Sequence, residues 1–82
     1  MIIYKAESQG CAYSIDSEGA LFYSPLYVNG TVNLDDWSEV DHLSLLGEEE
    51  NFREEVESIH QQLIDISKLM GEYFQGINVS NL

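Results

Sequence analysis

Residues 51–73 read NFREEVESIHQQLIDISKLMGEY, and their periodicity decides the fold. Phe52, Val56, Ile59, Leu63, Ile66, Met70 and Tyr73 step by four, three, four, three, four and three. Residues three and four apart share one face of an α-helix, so this spacing predicts a single apolar stripe. Glu48, Glu49 and Glu50 precede it and complement the positive end of a helix dipole. Asn51 with Glu54 offers a later start, as a capping box. Glu49 and Arg53, like Lys68 and Glu72, are spaced for i,i+4 ion pairs. Gly71 is a candidate stop, but Tyr73 carries the stripe on. The helix is therefore predicted over residues 48–76, with a tail at 77–82.

Upstream the period changes from helical to twofold. Ile2, Tyr4 and Ala6 alternate with Ile3, Lys5 and Glu7, and Cys11, Tyr13 and Ile15 alternate with Ala12, Ser14 and Asp16. This is the pattern of half-buried strands. Ser8-Gln9-Gly10 separates the two runs, and Asp16-Ser17-Glu18-Gly19 suits a type I turn with Gly in the left-handed position. Ala20 to Tyr23 forms the next run, and Pro25 marks an edge, a bulge or a strand end. Leu26-Tyr27-Val28 and Thr31-Val32 flank Asn29-Gly30, the residue pair favoured at the centre of a type I′ hairpin. Between strands and helix, Leu34, Trp37, Val40, Leu43, Leu45 and Leu46 are apolar anchors among acids, with a short helical turn expected around Asp35–Val40.

The predicted class is α+β: one domain over residues 1–82, with an antiparallel β-meander of three or four strands in 1–33. An acidic connector in 34–47 leads to one long amphipathic C-terminal helix packed on the sheet. Such a helix is roughly 40 Å long, whereas a domain of this size is about 30 Å across. The stripe either overhangs its sheet or packs wholly on a long one. Overhang would make Phe52, Val56, Ile59, Leu63, Ile66, Met70 and Tyr73 the interface of a homodimer.

Charge is the feature that rises above background. Fifteen acids face three cations, for a formal net charge of -12 in 82 residues. Seven acids and Lys5 lie in residues 1–47, and eight acids with Arg53 and Lys68 in 48–82, so the charge belongs to the whole chain and not to a tail. Apolar residues still make up 44%, which is enough for a globular core. Three cations cannot neutralise a row of phosphates, so direct nucleic-acid binding is not expected. Anionic membrane surfaces are disfavoured for the same reason. Met1-Ile2-Ile3-Tyr4-Lys5 does not read as a secretory signal, and Cys11 is the single cysteine. A reduced thiol in a cytoplasmic protein is the expectation. Asn78-Val79-Ser80 is read as a chance match to a glycosylation sequon.

Motifs that carry chemistry are weak. Glu57-Ser58-Ile59-His60 has the Glu-x-x-His spacing of di-iron bundles, but no other helix supplies the remaining ligands, and a solvated pair is the plainer reading. Nothing in the sequence brings Cys11 to His42 as nucleophile and base. The acids match no calcium loop, and zinc spacings, phosphate loops and nucleophile elbows are lacking. No enzyme, cofactor or metal is therefore expected. Tyr4, Tyr13, Phe22, Tyr23, Tyr27 and Trp37 cluster in the first 37 residues. Base stacking by these rings would need a positive groove, so they are read as packing, with a share left for a protein interface.

In charge and length the chain resembles the small acidic DNA-mimic inhibitors of phages and mobile elements; the likeness rests on those two properties and carries no residues across. It implies a non-catalytic protein that targets a basic, nucleic-acid-binding partner by charge competition. The expected binding carboxylates are Glu50, Glu54, Glu57 and Asp65 on the helix and Asp35, Asp36, Glu39 and Asp41 in the connector. The alternative is a small homodimeric structural or accessory protein using the helix stripe.

Overall fold

Three glycines at positive φ punctuate the N-terminal half: Gly10 at 72°, Gly19 at 85° and Gly30 at 82°. In this computed structural model residues 2–73 are described, and from residue 70 only the helix backbone. The expected helix end near Gly76, the tail at 77–82 and the side chains of Met70 and Tyr73 lie outside the described residues. Strands β1 (Tyr4–Ala6), β2 (Cys11–Ile15), β3 (Leu21–Pro25) and β4 (Ser38–Glu39) form one antiparallel sheet in sequence order. A one-turn helix α1 (His42–Leu45) and the long helix α2 (Glu50–Tyr73) follow. The α+β class and the meander-then-helix order are as the sequence predicts.

Each hairpin is closed by the same device. At the β2–β3 turn, Gly19 N donates to Asp16 O at 3.1 Å and Asp16 N donates to Ala20 O at 3.1 Å. The Asp16 carboxylate accepts from the Glu18 and Ala20 amides, both at 2.9 Å. This is the expected type I turn with a left-handed Gly. The Asn29-Gly30 hairpin departs from expectation. A type I′ turn needs positive φ at both residues, yet no described residue other than glycine has it. Instead Gly30 N donates to Tyr27 O at 2.8 Å, and Tyr27 N donates to Thr31 O at 2.9 Å. Val28 and Asn29 are the centre of a type I turn, and Gly30 forms the bulge after it. The reason is local: Asn29 Oδ1 accepts from Thr31 N at 3.1 Å and Thr31 Oγ1 at 2.7 Å, which holds Asn29 in the right-handed region.

A Cβ at Gly30 would meet nothing within 4 Å among the described residues, and it is the left-handed backbone that resists substitution. Gly30→Val is expected to cost about 1–2 kcal/mol, the penalty of a left-handed L-residue. Thermal melts check it, and an unchanged midpoint would contradict the left-handed backbone.

The connector also differs. Ser38 and Glu39 pair with Tyr23 and Phe22 as β4, and Val40 N donates to Leu21 O at 2.9 Å. Strand pairing therefore takes the place of the helical turn expected around Asp35–Val40. The turn comes later, at α1, because Asp41 caps it: its Oδ1 accepts from Leu43 N at 3.0 Å. Helix α2 starts at Glu50, and Glu49 O accepts from Arg53 N at 3.0 Å, so Asn51 lies inside the helix and forms no capping box. Pro25 ends β3, opposite Cys11.

The core lies between the near side of α2 and the sheet face that carries Tyr4 and Ala6 of β1 and the odd-numbered residues of β2 and β3. Ala6, Tyr13 and Leu21 meet Val56, Ile59 and Leu63, with Ile2, Ile15 and Phe52 packed around them. Strand β2 has five residues and is about 17 Å long. The stretch Phe52 to Leu63 covers about the same distance at 1.5 Å per residue. Sheet length thus sets how much of the stripe is covered, and Ile66 (42% exposed) and Leu69 (66%) run beyond it. The opposite sheet face is covered as well. Ala12, Ser14 and Ser24 are buried there. Ser24 Oγ donates to Asn33 O, and Ser14 Oγ to Ile2 O, both at 2.6 Å. Small side chains let flanking backbone approach, and its carbonyls satisfy the hydroxyls.

Candidate binding surface

Positions 50, 54, 57 and 65 of α2 fall opposite the core positions 56, 59 and 63 on a helical projection. Glu50, Glu54, Glu57 and Asp65 are all exposed, on the side of the helix turned away from the sheet. Gln61 occupies the intervening turn and donates from Nε2 to Asp65 Oδ1 at 2.9 Å. Lys68 lies one turn beyond Asp65 on the same projection. Among the described residues the ion pair formed is Lys5–Glu7 at 3.3 Å, and Glu49 and Arg53 do not make one.

Asp35, Asp36, Glu39 and Asp41, in the connector, are exposed too. Glu39 pairs with Phe22 at the sheet edge, one register position away from the face that meets α2. Asp41 caps α1, its Oδ2 accepting from Ser44 Oγ at 2.9 Å. Of the eight expected carboxylates, four share the outer side of α2 and four lie in the connector, where Glu39 belongs to β4 and Asp41 caps α1. Of the expected dimer residues, Val56, Ile59 and Leu63 are 1–2% exposed against their own sheet. They are not available to a second copy, because a five-residue strand is long enough to take them.

Between the sheet and the two helices lies a cleft of about 450 Å³. Cys11, Tyr13 and Tyr23 line it from the sheet, and Leu45, Phe52 and Val56 from the helices. Glu39 and Asp41 are its charged lining residues. Tyr13 Oη donates to Gln9 Oε1, and Cys11 Sγ lies 3.9 Å from the same oxygen. Gln9 Nε2 is buried and has no hydrogen-bond partner among the described residues. Reading the sequence treats these tyrosines as packing and gives Gln9 no role beyond a turn. Only the crowding of aromatics in the first 37 residues hints at more.

Electrostatics follow burial. Desolvation pushes the Tyr13 phenol well above the usual tyrosine range, and Cys11 and Glu55 act in the same direction. Burial also pushes the Cys11 thiol up, against a smaller lowering by Tyr13. Cys11 is thus protonated at neutral pH and poorly suited to attack. His42 stacks on His60 with ring centroids 5.6 Å apart, and His60 Nε2 lies 2.7 Å from Gly19 O. His60 is thereby engaged with the β2–β3 turn, and Glu57 stands exposed beside it. Among the described residues no three His, Cys, Asp or Glu side chains are placed to hold a metal ion, and no helix is long and apolar enough to cross a membrane.

The two ends of the pH range should report different groups. Folded Tyr13 keeps its proton where the unfolded chain, titrating near about pH 10, releases it. Stability should therefore fall as pH rises above about 10, and Tyr13→Phe should remove that slope in denaturant titrations. Asp41 behaves in the opposite sense, since the Ser44 hydroxyl and then the Leu43 amide hold its carboxyl below the usual range. Its contribution is present above the unfolded value near about 3.9 and is lost as pH falls through the folded value. Asp41→Asn, which keeps a capping oxygen, should flatten that acid limb. Compared with protein-family models, with curated proteins and with solved structures, the chain matches none.

Proposed function

We propose that the chain is a non-catalytic acidic binding protein that competes with nucleic acid for a basic partner. The observation that carries this reading is the outward stripe of Glu50, Glu54 and Glu57 on a rigid helix, in a molecule of 15 acids and 3 cations. Like charges at this density repel one another and destabilise the compact state, so a basic groove is the surface that relieves them. The stripe is sparser than DNA: its charges follow one another every 5 Å or so along the helix axis, against about 3.4 Å along one DNA strand. Competition would therefore rest on the summed field of the stripe and the connector group, and should be fast and strongly salt-dependent.

Immobilising the full chain, recovering what it binds from a lysate and titrating nucleic acid onto the recovered protein tests the proposal. A recovered partner that is basic and loses its nucleic acid to the chain supports it. An acidic partner, or one whose nucleic acid is undisturbed, removes it.

A second reading, a small homodimeric accessory protein, is favoured by Ile66 and Leu69, which are exposed on α2 past the end of the sheet. Light scattering at several concentrations decides it. A mass that stays near 9.3 kDa excludes the dimer.

A further inference from the structure

Residues 19–34 hold no Asp, Glu, Lys, Arg or His, the longest such run in the chain. Part of this run leaves the sheet as the hairpin closed between Tyr27 and Thr31, with Tyr27, Val28 and Asn29 exposed at its tip. Asn29 is followed by glycine, which has no Cβ to shield its own backbone nitrogen. Asn29 Oδ1 accepts from Thr31 N at 3.1 Å and from Thr31 Oγ1 at 2.7 Å. The first of these bonds closes a ring that contains the Gly30 nitrogen, so it keeps the Asn29 side chain folded back beside that peptide. Both bonds draw electron density from the side-chain carbonyl. A second asparagine supplies the contrast. Asn33 Oδ1 accepts from Asp35 N at 3.1 Å in the same kind of ring, but the residue between is Leu34.

We propose that Asn29 is a site of spontaneous deamidation in the folded chain, promoted by Thr31; this goes beyond the binding reading and stands without it. Solvent hydroxide takes the Gly30 N–H proton, which opens the bond to Tyr27 O. The Gly30 nitrogen then attacks Asn29 Cγ, which the ring holds close to it, and a five-membered cyclic imide begins to form. Negative charge develops on Oδ1 in that step, where the Thr31 N–H and Oγ–H already donate. The Cγ–Nδ2 bond breaks, and ammonia leaves with a proton from water, which regenerates hydroxide. A second water opens the imide. Cleavage of the new N–Cγ bond leaves aspartate at position 29. Cleavage of the bond to the main-chain carbonyl carbon leaves isoaspartate, with one extra carbon in the main chain. The net change is water taken up and ammonia released. It adds one carboxylate to the chain's fifteen acids, in the longest stretch that carries none. Aspartate keeps an acceptor for Thr31. Isoaspartate lengthens the path from Tyr27 to Thr31, so the bonds that close this turn lose register. The Leu34 side chain crowds the equivalent nitrogen next to Asn33, which is therefore spared.

The test is incubation of the folded full chain in neutral and in mildly alkaline buffer, followed by peptide mapping by mass. Cleavage after glutamate releases residues 19–39, which hold Asn29 and Asn33 together. Position 29 should acquire the mass of the acid, faster at the higher pH and at least about tenfold faster than position 33. An isoaspartyl methyltransferase with a labelled methyl donor should label the same peptide. Thr31→Val removes the hydroxyl donor and should slow conversion by about tenfold, whereas Thr31→Ser keeps the donor and should convert like the wild type. Asn29 that stays intact in the folded chain while the urea-unfolded chain converts overturns the proposal. Equal conversion of Asn29 and Asn33 overturns it as well, and so does a Thr31→Val chain that converts as fast as the wild type. The comparison of the two asparagines within the wild-type chain decides the matter even if Thr31→Val were poorly folded.

Discussion

Ile59→Asp is expected to abolish the cooperative folded state. Ile59 is 2% exposed and sits between Val56 and Leu63 against Tyr13 and Leu21. The substitution removes a buried branched side chain, worth about 2–5 kcal/mol in comparable truncations, and puts an unpaired carboxylate in its place. A domain of this length is stable by only about 4–12 kcal/mol. Circular dichroism should show lost helix and no sigmoidal melt. Ile66→Asp is the matched control. At 42% exposure beyond the sheet, it should shift stability by no more than about 0.5 kcal/mol. If the chain dimerises through the free end of α2, Ile66→Asp should also dissociate it. The pair separates a core role from an interface role on one helix, which the periodicity of the stripe cannot do.

That limit shows where sequence reading stops. The helix was legible because seven apolar residues keep one phase, and the strands because β2 and β3 alternate between glycine-closed turns. How far the stripe is buried was not legible, since it depends on the length of β2, a tertiary quantity. The Asn29-Gly30 turn was misread because a local bond from Asn29 to Thr31 outweighs the statistical preference of the dipeptide. β4 was missed because two residues carry no period, and only their pairing with Phe22 and Tyr23 defines them. Among the candidate carboxylates, exposure follows directly from helical phase. The roles of Glu39 and Asp41 do not, because the pairing of β4 and the capping of α1 decide them. The cleft was invisible in the sequence: Gln9, Tyr23, Asp41 and Phe52 share no spacing and meet only when α1 and α2 close over the sheet.

Reversing Glu50, Glu54 and Glu57 to Lys together should weaken partner binding by more than about tenfold while leaving the fold intact. All three side chains are exposed and none belongs to the core cluster. The change moves local charge by six units along one side of α2 and relieves self-repulsion, so the melting temperature should hold or rise. The loss should be largest at low ionic strength and shrink as the Debye length falls to about 8 Å near physiological salt. Equal affinity of wild type and variant would show that the stripe is a solvated face and no more. Reversing Asp35 and Asp36 instead should have a smaller effect, because it moves local charge by four units and not six.

If the acidic surface takes the place of nucleic acid on a basic protein, as proposed, adding the chain must displace bound nucleic acid. A fluorescent DNA or RNA is bound to the protein recovered on the immobilised chain, and its anisotropy is followed as the free chain is added. The expected result is saturable release of the nucleic acid, weakened by added salt and lost with the triple Lys variant. Anisotropy that stays constant while the chain is demonstrably bound, or a recovered partner that is itself acidic, would contradict it.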